Sequence, residues 1–165
     1  MNLVDKLIKR YGMEEHPEGG YYSVIYQSDE SIDKSALPER YSGSRKFAAG
    51  IYYLLPAGEK SVFHRLKSDE LWFHLAGGTL ELYLLDEDTG LEKLYLSKKV
   101  NTGHHLHGLV PRGTWMAARP AEGVDFSLVS CVVMPGFEFD DFELAQAKTL
   151  IRRHPGQEQL IRELT

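Results

Sequence analysis

The sequence predicts a mainly β fold, closed as a sandwich or barrel, and three observations carry that prediction. Residues 47–134 form a succession of short apolar runs rich in β-forming residues, broken by glycine, proline or acidic turns. The runs recur about every ten residues, which favours a sandwich or barrel over alternating strand–helix units. Helical periodicity is confined to the two ends of the chain.

Each element follows in order. Leu3, Val4, Leu7, Ile8 and Tyr11 recur at helical spacing, and Gly12 lies just past the predicted end. His16-Pro17-Glu18-Gly19-Gly20 is a turn signal, followed by strand-forming residues from Tyr21 to Tyr26. Residues 28–43 are polar with little periodicity and read as a loop or a weakly ordered edge. Strands are predicted at 47–55, 61–66, 71–76, 79–85, 91–96, 106–110, 114–119 and 126–134. Asp86-Glu87-Asp88-Thr89-Gly90 reads as a hairpin loop. Leu144, Leu150 and Ile151 mark an amphipathic helix, His154-Pro155-Gly156 breaks it, and Leu160, Ile161 and Leu164 mark a last short helix. No repeat or linker divides the chain, so residues 1–165 are expected to form a single domain.

The composition, 42% hydrophobic and 26% charged over 165 residues, is that of a globular domain. A net charge of −5 argues against a nucleic-acid polymer or an anionic membrane as partner, since both need a basic face. The single cysteine, Cys131, has no partner for an internal disulfide and lies in an apolar run. It suits a reducing compartment, and a cytoplasmic location is expected. Asp5, Lys6, Lys9 and Arg10 interrupt the first ten residues, which therefore match neither a signal peptide nor a membrane span.

The stretch with most chemistry is Gly58, five residues, His64, one residue, Leu66, three residues, Glu70, six residues, Gly77. Pro111-Arg112-Gly113 follows further on. These resemble the two motifs of the cupin superfamily, whose jelly-roll barrel, a double-stranded β-helix, holds a metal on three histidines and a glutamate. The resemblance places the four ligand positions at His64, Leu66, Glu70 and Met116, so two of the four are no longer donors. A thioether is a poor ligand for the metals usual in such sites. The motif-two asparagine position holds Pro120, and its leading glycine position holds His105.

Residues 16–22, 51–55 and 134–143 also resemble landmarks of one small single-domain cupin family of unknown function. That resemblance spans nearly the whole chain. It implies a jelly-roll barrel with a short N-terminal helix and two short C-terminal helices, an internal cavity, a degenerate metal site and, commonly, a homodimer. In architecture it implies kinship with metal-independent epimerases acting on nucleotide-linked sugars.

Within the expected lumen, His64 is the candidate general base and Glu70 the group that orients it, because a carboxylate bonded to an imidazole fixes its tautomer and raises its basicity. A buried polar pair left from an ancestral metal site is the alternative. Trp72 and His74 share the face of Glu70 and should line the lumen with it; Met116 is expected as an apolar wall of the pocket. One of Tyr52 and Tyr53 must face the cavity; alternation does not decide which, and Tyr52 is carried as the ligand-binding candidate. Trp115 should pack outside the lumen. Glu18-Gly19-Gly20 reads as a tight turn, with the shaping of a pocket mouth as the alternative, and residues 135–143 as a structural strap.

No cofactor is favoured. The alternative is a divalent transition metal on a rebuilt set of His64, Glu70 and His107, with His105 as a substitute. His74 is unsuited to that set, since about 13 Å of strand separates it from Glu70. The expected partner is a small molecule, a sugar derivative or nucleotide-like compound, and the expected chemistry that of an isomerase or epimerase. A non-catalytic binding module and a metal-dependent enzyme remain the alternatives.

Overall fold

Short amphipathic strands expose an apolar face that only a second sheet can cover, and this chain builds two. The computed structural model describes residues 2–165. Its strands are β1 (Glu14–Glu15), β2 (Tyr21–Gln27), β3 (Ser31–Ile32), β4 (Arg45–Lys46), β5 (Ala49–Pro56), β6 (Ser61–Leu66) and β7 (Asp69–Gly77). They continue with β8 (Leu80–Asp86), β9 (Gly90–Leu96), β10 (His107–Val110), β11 (Trp115–Pro120), β12 (Phe126–Met134) and β13 (Phe142–Leu144). The helices are α1 (Leu3–Tyr11), α2 (Ala147–Arg153) and α3 (Glu158–Glu163).

One sheet has six strands in the order β1-β2-β5-β12-β7-β10, the other five in the order β13-β6-β11-β8-β9. Every ladder in both sheets is antiparallel. Chain neighbours cross from sheet to sheet, as in a jelly roll: β5, β7 and β12 lie in one sheet while β6, β8 and β11 lie in the other. Between the sheets, Tyr53, Leu55, Leu66, Trp72, Leu80, Leu82, Leu96, Val110, Met116, Val129 and Cys131 form the main core. Complete burial of a Leu or Val side chain contributes about 1.5–3 kcal/mol.

Two satellite clusters cover the outer faces. Helix α1 starts with a capping box, in which Asn2 Oδ1 accepts the Asp5 backbone N–H at 2.8 Å, and ends on Gly12 at φ 56°. Its Val4, Leu7 and Ile8 pack on Tyr52, Leu54 and Leu128. Helices α2 and α3 place Leu150, Ile161 and Leu164 on Phe63, Tyr83, Leu85 and Trp115, the outer face of the five-stranded sheet. Trp115 thus packs outside the lumen. No helix among the described residues is long and apolar enough to cross a membrane.

Two segments differ from the sequence reading, and a third fits it. Residues 28–43 are not only loop: Ser31–Ile32 pairs with Arg45–Lys46, and Tyr41 is buried with its hydroxyl 2.8 Å from Ser68 Oγ. Leu144 belongs to β13, paired with His64 of β6, so the helix begins after it. The 135–143 segment is tied down by a buried bidentate ion pair, Arg45 Nε and Nη2 each donating at 2.7 Å to the Asp141 carboxylate.

Candidate functional site

The cavity opens between the six-stranded sheet, β6 and the 135–143 strap, with a volume of about 160 Å³. An engineered cavity of about 150 Å³ accepts benzene, so the space suits one small ring. Aromatic walls come from Tyr22, Tyr53, Trp72, Phe137, Phe139 and Phe142. The polar lining consists of His16, Glu18, Gln27, His64 and Glu70, and no lysine or arginine reaches it.

Glu18 reaches the lumen because the turn before β2 presses against the barrel. Gly19 and Gly20 have φ of 106° and 69°, a region that favours glycine. A Cβ on Gly20 would stand 2.7 Å from the Leu54 carbonyl oxygen. Freed of side chains there, the turn bonds Val62 N–H to Glu18 O at 2.9 Å and Tyr53 Oη to Gly19 O at 2.7 Å. Glu18, only 6% exposed, is thereby driven inward. Its Oε1 accepts from Ser61 Oγ at 2.9 Å, and its Oε2 lies 3.0 Å from His64 Nε2.

The protonation of His64 follows from its partners. Its Nδ1 lies 2.8 Å from the Val62 carbonyl oxygen, which can only accept, so Nδ1 carries a hydrogen. One further proton must lie between Nε2 and Glu18 Oε2 for that contact to bind. Imidazolium and carboxylate, or imidazole and carboxylic acid, are the two ways to place it. His16 stands differently. Its Nδ1 accepts the Glu18 backbone N–H at 3.3 Å, and burial holds its pKa below the ordinary histidine value, partly offset by the Glu18 charge.

Across the cavity, Glu70 is 6% exposed and its carboxyl is pushed up to about 8, chiefly by burial and then by the Glu18 charge. The Trp72 indole pulls weakly the other way without reaching hydrogen-bonding geometry. Glu70 Oε2 and Trp72 Nε1 are both buried with no partner. At neutral pH Glu70 is therefore mostly a neutral acid. Cys131 also lines the cavity, its thiol pushed well up by burial and by the Glu70 and Glu18 charges.

The structure thus brings His64, Glu70 and Trp72 together in one cavity, but it changes the pairing: the carboxylate on His64 is Glu18, not Glu70. With Nδ1 held by Val62 and Nε2 by Glu18, His64 has no free nitrogen. Tyr53, not Tyr52, lines the cavity; Tyr52 turns outward and meets Tyr11 of α1 edge-on, ring centroids 5.0 Å apart. Met116 is buried opposite His64 but stays in the core rather than at the cavity surface. His74 lies past the cavity, beside an irregularity in the β7–β12 register, and its Nε2 pairs with Gly78 O at 2.8 Å.

The rebuilt metal set does not assemble. His107 is exposed and stacks on Phe73, while His105 is exposed next to β9. Leu66 and Met116 offer no oxygen or imidazole donor. Among the described residues no group of three or more His, Cys, Asp or Glu side chains is placed to hold a metal ion. These donors do not fit the metal that the cupin motif implies.

Sequence reasoning set Glu18 at most at a pocket mouth and missed its contact with His64, and it missed His16 and the strap phenylalanines as cavity residues. The available signal was the Gly19-Gly20 pair directly after Glu18, since two glycines in a row permit the close approach that turns the carboxylate inward.

Two sheets enclosing a polar-floored cavity, with cupin-motif residues on β6 and β7, define a small single-domain cupin. Residues 5–145 match the family described as Cupin superfamily (DUF985), and the chain belongs to that family. A hypothetical protein from Leishmania major matches at 31% identity with a TM-score of 0.88, covering 99% of each chain. Protein SO0799 from Shewanella oneidensis matches at 35% identity and the same TM-score, covering 100% of this chain and 98% of its own. The uncharacterized protein YML079W of Saccharomyces cerevisiae is 24% identical, over 94% of this chain and 82% of its own length. Oxalate decarboxylase from Bacillus subtilis, at 14% identity and a TM-score of 0.54, shares the fold alone.

Proposed function

We propose that this cupin binds an uncharged, ring-sized polar molecule and moves a proton on it without a metal, as an isomerase or epimerase does. The Glu18–His64 pair, buried in the cavity wall, carries this reading. With the imidazole protonated, Glu18 is a carboxylate in the cavity lining. It takes a proton from the carbon beside a ligand carbonyl. The C–H bonding pair becomes a C=C bond, and the carbonyl π pair moves to oxygen. Glu18 then returns that proton on the same face to a neighbouring position of the enolate, which completes an isomerisation and leaves Glu18 as it began.

The lining supports an uncharged ligand. Without lysine or arginine in the wall, a phosphate has no cationic partner, while the aromatic rings offer flat surfaces for a sugar or heterocycle. The nucleotide-linked part of the expectation therefore has no support in this cavity. Native mass spectrometry of gently purified protein tests for a co-purified ligand of this size. Proton transfer is tested by deuterium uptake next to the carbonyl of cyclohexanone in heavy water. The protein is expected to accelerate uptake, and Glu18→Gln to abolish the acceleration. Equal uptake with Glu18→Gln would refute the role of the pair.

A further inference from the structure

A second concavity lies outside the barrel cavity, where several connections meet. Lys67 comes from the turn between β6 and β7, Arg112 and Gly113 from the turn between β10 and β11, and Asp140 from the strap between β12 and β13. Arg40, from the segment before β4, completes it. Hydrogen bonds lace these connections into one floor: Gly113 N–H to Leu66 O at 2.8 Å, Lys67 N–H to Asp141 O at 3.1 Å and Arg112 N–H to Asp69 Oδ1 at 2.8 Å. The cleft has a volume of about 440 Å³, and Leu66 and Phe142 border both it and the barrel cavity.

Charge in this cleft is one-sided, although the chain as a whole carries −5. Two of its acids are already matched. The Asp141 carboxylate is held by both Nε and Nη2 of the buried Arg45, and Glu143 Oε2 accepts from Arg65 Nε at 2.8 Å. Lys67 Nζ stands 3.7 Å from that same Asp141, while Arg40 and Arg112 enter no ion pair among the described residues. Asp140, bonded to Ser42 Oγ at 3.2 Å, is left as the unmatched acid beside three cations. Arg40 is also fixed in advance. Its Nε donates to Lys67 O at 2.9 Å, and its guanidinium lies 4.7 Å from the centroid of the Tyr41 ring. Tyr41 in turn is buried and bonded to Ser68 Oγ at 2.8 Å.

We infer that this cleft binds the phosphate group of a small phosphorylated molecule. Three cations against one acid leave a surplus of two positive charges. A phosphate monoester carries about −1.5 to −2 at pH 7 and matches that surplus, whereas a carboxylate matches half of it. Guanidinium forks suit phosphate oxygens pairwise, and an ammonium adds a point charge. A cavity of about 150 Å³ accepts benzene, so this cleft has room for an organic ring beside the phosphate. The site stands apart from Glu18 and His64 and does not depend on the proton-transfer reading.

The test titrates phenyl phosphate into the full-length protein at neutral pH and low ionic strength, followed by ¹H–¹⁵N NMR. Benzenesulfonate, the same ring with a single charge, is the control. Saturable shifts are expected at the Lys67, Ser68 and Gly113 amides, with phenyl phosphate bound more tightly than benzenesulfonate. Arg40→Gln and Arg112→Gln, both at exposed positions, are each expected to weaken phenyl phosphate by about fivefold, the worth of one solvent-screened charged contact. Asp140→Asn is expected to tighten it by about twofold or more. A general disturbance of the fold would not give opposite signs at residues of one cleft. Shifts confined to barrel-cavity residues, no saturable shift at millimolar phenyl phosphate, or affinity within about twofold of the parent protein in both arginine variants would overturn the site. A phosphoserine peptide that bound about tenfold more tightly than phenyl phosphate would overturn its assignment to a small molecule. The Glu18–His64 reading is judged separately, by deuterium uptake.

Discussion

Replacing Glu70 by glutamine keeps the side-chain shape and removes the proton the group can lose. In the folded protein the carboxyl holds its proton up to about pH 8; in the unfolded chain it releases it near 4.5. Between those values the native state binds more protons than the unfolded state, so stability falls as pH rises. At about 1.4 kcal/mol per pH unit, the loss is about 1 kcal/mol at pH 5, 3 kcal/mol at pH 7 and 5 kcal/mol at pH 9. Below pH 4.5 it vanishes, and above 8 it stops growing. Glu70→Gln escapes this loss at every pH, whatever constant offset the amide introduces. Urea denaturation of both proteins at pH 5, 7 and 9 is expected to show the variant's advantage widening by about 4 kcal/mol across the series. Parallel pH profiles would refute the assignment of a buried, neutral Glu70.

Glu18→Gln removes the charge that helps to raise Glu70, so the Glu70 carboxyl is expected to titrate at lower pH in that variant; ¹³C NMR of the labelled carboxyl checks this. Arg45→Met leaves Asp141 buried without its bidentate partner and is expected to cost about 3–5 kcal/mol in urea denaturation, with the strap loosening first in hydrogen exchange. Gly20→Ala forces a side chain into positive φ and against Leu54 O. It is expected to cost more than about 1 kcal/mol of thermal stability and to disturb the Glu18–His64 contact, read as a change in the His64 ring resonances.

The β framework was legible because its strands are short, apolar and separated by clear turn residues, and because helical periodicity survives only at the ends. The motif spacing placed His64 and Glu70 on consecutive strands, which the fold sets in two different sheets around one cavity, and alternation carried Trp72 into the lumen. Tyr52 and Tyr53 were indistinguishable for a physical reason. Helix α1 covers the outer face of β5, so both faces of that strand are apolar and its alternation carries no direction. Alternation kept His74 on the buried face of β7 with Glu70 and Trp72, but it stands too far along the strand to line the cavity. Glu18 was hidden because its position depends on contact between a turn and strands far along the chain. Leu144 carried a helical spacing by coincidence, and pairing with β6 outweighed it.

The clamp between Arg45 and Asp141 bears on how a guest would be received. Phe137, Phe139 and Phe142 pack edge-on against one another on a segment fixed at both its chain neighbours and its anchor. One side of the chamber is thus set before anything arrives, and no ordering entropy is debited when it is filled. For a guest of the proposed kind, selection at a wall held in this way would rest on shape, with a fit that leaves the backbone where it was.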